Sequence, residues 1–329
     1  MKEKTSWFIK VWEAADESKY GIGECGPLPG LSMDDLPTLE NILRDVIIRL
    51  GAVHDIHQEN IFAIVSEIVP RGFPAVVFAL ETALLDLSNG GKRIVFDNGF
   101  VKGEPIPING LVWMGDEEFM MKQVHEKISE GFQCIKLKVG AIDFDRECRI
   151  LESIRKTYEP AHITLRLDAN GAFSAEDALA KLKALSRFDI HSIEQPIKPG
   201  RDAMEKICSE SPIPIALDEE LIGREGNKDA LLKKIHPQFI ILKPTIHGGF
   251  NHCRLWIEEA VKMNIGWWIT SALESNVGLN AICQFTANYH VDIPQGLGTG
   301  SIYTNNIPSP LSVERGFIRS HAIQNWPEL

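Results

Sequence analysis

The chain has little with which to hold a polyanion: 34 Lys and Arg stand against 45 Asp and Glu, a formal charge of −11 over 329 residues. That balance excludes the basic footprint of nucleic-acid binding and of adhesion to anionic membranes. No stretch approaches the ~20 apolar residues of a membrane span, and MKEKTSWF has no apolar run behind its lysines. Neither a signal peptide nor a spanning helix is expected, and a cytoplasmic location is. Cys25, Cys134, Cys148, Cys208, Cys253 and Cys283 form no CxxC pair and no zinc-like spacing, which predicts free thiols in a reducing compartment. Low-complexity tracts and long runs of like charge are missing too, so the chain is read as ordered and globular. No GxGxxG follows the first strand and no nucleophile elbow or Ser/His/Asp set stands out, which removes dinucleotide-binding and serine-hydrolase readings.

What is present is alternation. From about residue 105 short apolar runs and helical stretches follow one another: IPINGLVW (106–113), CIKLKV (134–139), ITLRLD (163–168), HSIEQ (191–195), PIALDE (214–219), FIILK (239–243) and GWWITSA (266–272), with a weak eighth near GLGTG (296–300). Between them DEEFMMKQVHEKISE, SAEDALAKLKALSRF and SNVGLNAICQFTANYH read as amphipathic helices, the second opened by a capping box of Ser174 with Asp177. Seven or eight such units in about 200 residues predict a closed parallel barrel. Residues 1–104 differ: SWFIKVWEA reads as an edge strand, and LPTLENILRDVIIRLGAV and FPAVVFALETALLDLSN as helices, an α+β capping domain before the barrel domain at 105–303.

Lys138, Asp168, Glu194, Asp218 and Lys243 end five consecutive strands at spacings of 30, 26, 24 and 25 residues. In a barrel such ends converge on one mouth, where active sites of this architecture are built. Alternation puts Lys136 on the same face as Lys138 and Arg166 on that of Asp168. Charges there must pair or bind a metal, because lone buried charges are costly. Asp168, Glu194 and Asp218 form a hard-oxygen set suited to Mg²⁺. Flanking lysines suit removal of a proton α to a carboxylate. The crowding of Lys138 by Lys136 and a metal predicts a lowered lysine pKa.

Each charge alone has a plainer reading as a turn, cap or ion-pair residue. Alternation also leaves Glu220 as a competitor of Asp218 for the inward face. His54 and His57 lie one helical turn apart without a third ligand, which reads as a solvated face. HGGF and GLGTG are candidate glycine-rich cradles for an anion, such as a substrate carboxylate.

Taken together, KxK (Lys136–Lys138), DxN (Asp168–Asn170), EQP (Glu194–Pro196), DE (Asp218–Glu219) and KP (Lys243–Pro244) resemble the enolase superfamily in its muconate-lactonizing-enzyme subgroup. The resemblance implies a modified (β/α)7β TIM-type barrel with an α+β capping domain, to which a C-terminal tail of residues 304–329 returns. It implies Mg²⁺, with Mn²⁺ as a substitute, held by Asp168, Glu194 and Asp218. Lys138 would be the acid/base, Lys243 the cation facing it and Lys136 a supporting residue, with Asn170, Ser271, Gly298 and Thr299 as substrate contacts. The family begins with an extra strand and lid loop where this sequence has only MKEKT. GIGECGPLPGLS and GLGTGSIYTNN are most similar to members that dehydrate a hydroxycyclohexadiene carboxylate. Racemases, dipeptide epimerases and cycloisomerases share the site, and a non-catalytic binding barrel is the remaining rival. A small-molecule carboxylate is the expected partner, with neither nucleic acid nor membrane, and the sequence leaves a homo-oligomer open.

Overall fold

A computed structural model of the protein describes residues 3–300, 302–321 and 326–327. Strands β1 (Trp7–Glu13) and β2 (Asp16–Cys25) pair antiparallel, followed by helices α1 (Leu39–Leu50), α2 (Ile61–Ile68) and α3 (Pro74–Ser88). In β1 the alternation is clean: Ile9 and Val11 are buried while Phe8, Lys10 and Trp12 face out. Helix α3 is apolar nearly all round and accordingly buried on almost every side. Strand β2 lies so close to it that a Cβ at Gly21 or Gly23 would collide with the carbonyls of Ala83 and Ala79. His54 and His57 fall in the loop between α1 and α2, not on a helix.

The barrel follows as β3 (Ile106–Pro107), β4 (Gly110–Val112), α4 (Glu117–Ser129), β5 (Cys134–Lys138), α5 (Phe144–Thr157), β6 (Thr164–Asp168), α6 (Ala178–Leu185), β7 (Ile190–Glu194), α7 (Ala203–Glu210), β8 (Ile215–Leu217), α8 (Lys228–Ile235), β9 (Phe239–Leu242), α9 (Gly249–Lys262), β10 (Gly266–Ile269) and α10 (Asn276–Thr286). Strands β4 to β10 form one parallel sheet in sequence order. The eighth position is reduced to Gln295 and Gly296, which bridge Ile108 on one side and Thr270 on the other. Burial on both faces explains why these strands read as apolar runs: Ile135, Leu137, Leu165, Leu167 and Ile193 are inaccessible beneath the helices. Ser174 accepts from the Asp177 amide but caps the turn before α6, which begins only at Ala178. Finally β11 (Leu311–Glu314) and β12 (Phe317–Ser320) form a hairpin that pairs with β3 in a separate small sheet, not with β1 and β2. Residues 322–325 and 328–329 of the expected tail lie outside the described residues.

Candidate active site at the carboxyl ends of the strands

Strand register brings the charges together. Lys138 lies beside Asp168 across β5 and β6, and Asp168 beside Glu194 across β6 and β7. Asp218 and Lys243 directly follow β8 and β9. The three carboxylates are no more than 2 % exposed. Each is met by an ammonium: Lys136 Nζ bonds Glu194 and stands 2.9 Å from Asp168 Oδ2. Lys138 Nζ donates to Asp168 Oδ2 at 2.7 Å and to Asn170 Oδ1 at 2.6 Å, and Lys243 Nζ to Asp218 Oδ2 at 2.5 Å. With lysines between the carboxylates, no three acidic, imidazole or thiol groups among the described residues are gathered closely enough to hold a metal ion as they stand.

Burial alone would lower the Lys243 ammonium, but Asp218, Glu219 and Glu194 outweigh it and raise its pKa. The same contest, against Asp168 and Glu194, leaves Lys136 raised as well. For Lys136 and Lys243 the neighbouring carboxylates thus outweigh burial. Burial works upward on Asp168 but Lys136 and Lys138 hold it well below the usual carboxylate range. Glu194 is pushed up to about 8, first by burial and then by the charge of Asp168.

The donor set nonetheless suits a hard cation. Asp218 Oδ1 and Glu219 Oε2 are buried without a hydrogen-bond partner, a state a carboxylate oxygen tolerates poorly unless a cation completes it. Strand alternation favours Glu220 for the inward face, and the structure puts Glu219 there instead. The chain leaves the strand at Asp218 with φ −121° and ψ −84° and enters a single 3₁₀ turn at 219–221. Period-two alternation ends there, so Glu219 faces the mouth, where Asn170 Nδ2 donates to it at 2.8 Å. Glu220 turns outward to accept from the Gly200 amide and Gln195.

Above the charges lies a cavity of about 160 Å³. Lys136, Lys138, Asp168, Asp218 and Lys243 line one part of it, with Asn170 and Glu219 beside them. Leu28, Leu31, Leu111, Trp113, Trp268 and Leu273 supply an apolar part, and Ser271, Gly298 and Thr299 a polar edge. Thr299 Oγ1 donates to Ser271 Oγ, which donates to the buried Glu274 carboxylate at 2.6 Å. The HGGF segment does not face this mouth. Its partner is internal: the amides of Phe250 and Asn251, at the start of α9, donate to the buried Glu81 carboxyl from α3. His247 accepts from the Lys243 amide at 2.9 Å, and burial lowers its pKa to about 4, so it is a neutral support behind that lysine.

Residues 120–322 match the enolase C-terminal domain-like family. An o-succinylbenzoate synthase of Desulfotalea psychrophila is 44% identical over 97% of this chain and 92% of its own length. The chain belongs to the enolase superfamily, among the o-succinylbenzoate synthases. The crystal structure of MenC from the same organism superposes with a TM-score of 0.88, covering 96% of this chain and 94% of that one. A muconate lactonizing enzyme from Pseudomonas putida, 20% identical, has the same fold at a TM-score of 0.80 over 98% of this chain and 91% of that one. This superfamily architecture is the barrel and capping sheet described above, and none of the helices among the described residues is long and apolar enough to cross a membrane.

Proposed function

We infer that this chain is an o-succinylbenzoate synthase, a hydro-lyase that converts 2-succinyl-6-hydroxy-2,4-cyclohexadiene-1-carboxylate to 2-succinylbenzoate and water in menaquinone biosynthesis. The observation that carries the reading is Lys138 and Lys243 on one cavity with Asp168, Glu194 and Asp218 between them in chain order, in a chain 44% identical to a named synthase. Asp168, Glu194 and Asp218 would hold Mg²⁺, or Mn²⁺ in its place. When bound, such an ion supplies positive charge to a carboxylate that is gaining negative charge. Lys138, as the amine, takes the proton α to the substrate carboxylate, and the C–H electrons pass into an enediolate. Lys243 faces it as an ammonium. As the enediolate collapses the ring C=C forms, the C–OH bond breaks, and Lys138 returns its proton to the departing hydroxyl, releasing water. Lys136 holds Glu194 and Asp168 in place, and Asn170 orients Lys138. The apolar wall suits the carbocyclic ring, and Ser271, Gly298 and Thr299 the polar succinyl arm.

GLGTG contains no acid with which to grip a substrate ammonium, which counts against a dipeptide epimerase on the same lysines. The six buried free thiols are compatible with action in the cytoplasm. The test is ultraviolet detection of 2-succinylbenzoate when purified protein and Mg²⁺ meet the cyclohexadiene substrate. Exhaustive chelation is expected to abolish the signal and Mg²⁺ to restore it; activity unchanged by chelation would refute the metal assignment.

A further inference from the structure

The turn Ser271–Leu273 lines the same cavity as the strand-end charges, and its backbone is strained. Leu273 has φ +62°, a left-handed conformation that a branched L residue adopts only when its surroundings impose it. From inside, the Leu273 amide donates to Ser271 Oγ at 2.8 Å, and the Ala272 amide to Glu274 at 2.9 Å. From outside the barrel, Lys4 Nζ donates to the carbonyls of Leu273 at 3.0 Å and Ala272 at 3.3 Å. Its third contact, at 2.8 Å, is the Gly26 carbonyl beyond β2. All three ammonium donors thus end on carbonyls, two of them on the wall of the site.

One turn further on, Glu24 of β2 is wholly buried. Its Oε1 accepts from Ser6 Oγ at 2.7 Å and the Ser275 amide at 2.9 Å, and its Oε2 from Ser275 Oγ at 2.6 Å and the Gly278 amide at 3.0 Å. A carboxylate at the N-terminus of α10 also meets the favourable end of the helix dipole. The approach leaves no room for side chains. A Cβ at Gly278 would stand 2.8 Å from Glu24 Oε2, and one at Gly26 2.8 Å from Ser6 Oγ and 3.2 Å from Lys4 Nζ.

We propose that Lys4 and Glu24 are positioning residues that hold the strained Ser271–Leu273 turn, and with it the substrate-facing wall of the site, from the amino-terminal sheet. Neither touches the strand-end lysines or carboxylates. Releasing them lets Leu273 leave its left-handed conformation and reshapes the wall, without moving the groups that exchange the proton. The kinetic part of the test rests on the o-succinylbenzoate synthase reading; hydrogen exchange does not. In substrate-free protein, Lys4→Met is expected to speed amide exchange at Leu273 and through the first turn of α10, and Glu24→Gln to do so more strongly, since its amide N–H would oppose a backbone donor. With the cyclohexadiene substrate and Mg²⁺, Lys4→Met should raise KM roughly tenfold while kcat stays within about twofold, and Lys4→Arg should recover most of the loss. The proposal is overturned if exchange at 273–278 is unaltered in both Lys4→Met and Glu24→Gln. It is equally overturned if kcat falls only in proportion to the folded fraction with KM unchanged. If wild-type protein formed no 2-succinylbenzoate, the functional reading would fail, yet the exchange data would still decide the clamp.

Discussion

The floor and the wall of one cavity are built by opposite means. On the floor, Lys136, Lys138, Asp168 and Glu194 stand on adjacent strands in register, and the β-sheet ladder itself delivers them. On the wall, Ser271–Leu273 belongs to no strand or helix: Lys4, more than 200 residues away in sequence, bonds its carbonyls, the neighbouring Glu274 bonds the Ala272 amide, and the equally distant Glu24 bonds the Ser275 amide just beyond it. A floor set by regular backbone keeps its geometry when one side chain changes, so a substitution there removes chemistry and little else. A wall set by a few long-range hydrogen bonds can shift as a unit, so a substitution there should alter which molecule fits.

Lys138→Ala gives the largest expected effect: loss of a general acid/base should lower kcat by about 10³-fold while product affinity, measured by calorimetry, persists. Wild-type turnover in this variant would remove Lys138 from its role. Lys243→Met should follow, with a fall in kcat of about 10²-fold, because an electrostatic contact is lost and the proton carrier stays. A smaller effect, on the wall side, comes from Gly278→Ala. Its methyl group would press on Glu24 and Glu274, and overpacking of this kind costs about 1–3 kcal/mol. The readout is a lower urea midpoint with kcat altered less than KM; an unchanged midpoint would mean that the approach of β2 to α10 relaxes freely.

The smallest effect concerns Glu81, which joins α3 to α9 away from the cavity, with Cys253 as its titratable neighbour on α9. Burial pushes its carboxyl up to about 8 from an ordinary 4.5, and the Phe250 and Asn251 amides only partly offset this. The folded state therefore holds a proton that the unfolded chain releases. Its contribution to stability is complete below pH 4.5 and is lost progressively as pH rises toward 8. Glu81→Gln keeps an acceptor and cannot ionise, so its unfolding free energy should fall less between pH 5 and 8 than that of the wild type. Parallel pH profiles for the two proteins would contradict this role for Glu81.

The floor is legible in the sequence because a repeat of 24 to 30 residues translates directly into adjacent strand ends. Legibility stops where the period-two rule stops. The chain enters a 3₁₀ turn at Asp218, which sends Glu219 rather than Glu220 toward the mouth, and alternation cannot anticipate a turn of three residues. The ion pairing is hidden for a related reason: sequence places Lys136 next to Lys138, but the sheet places each against a carboxylate of another strand. HGGF carries the signature of an anion cradle, and its partner is Glu81 of the chain itself. Lys4 and Glu24 leave no local signal at all, since a lysine bonded to three carbonyls has no periodicity and its partners lie 22 to 269 residues away.

The most direct test of this division is to measure kcat and KM for 2-succinylbenzoate formation with Mg²⁺ in wild type, Lys138→Ala and Lys4→Met side by side, with product affinity for each. The floor variant should lose kcat and keep product affinity. The wall variant should keep kcat and lose affinity, by roughly tenfold. If both substitutions moved the same parameter in the same proportion, floor and wall would be one device rather than two, and the separation of chemistry from fit in this cavity would be refuted.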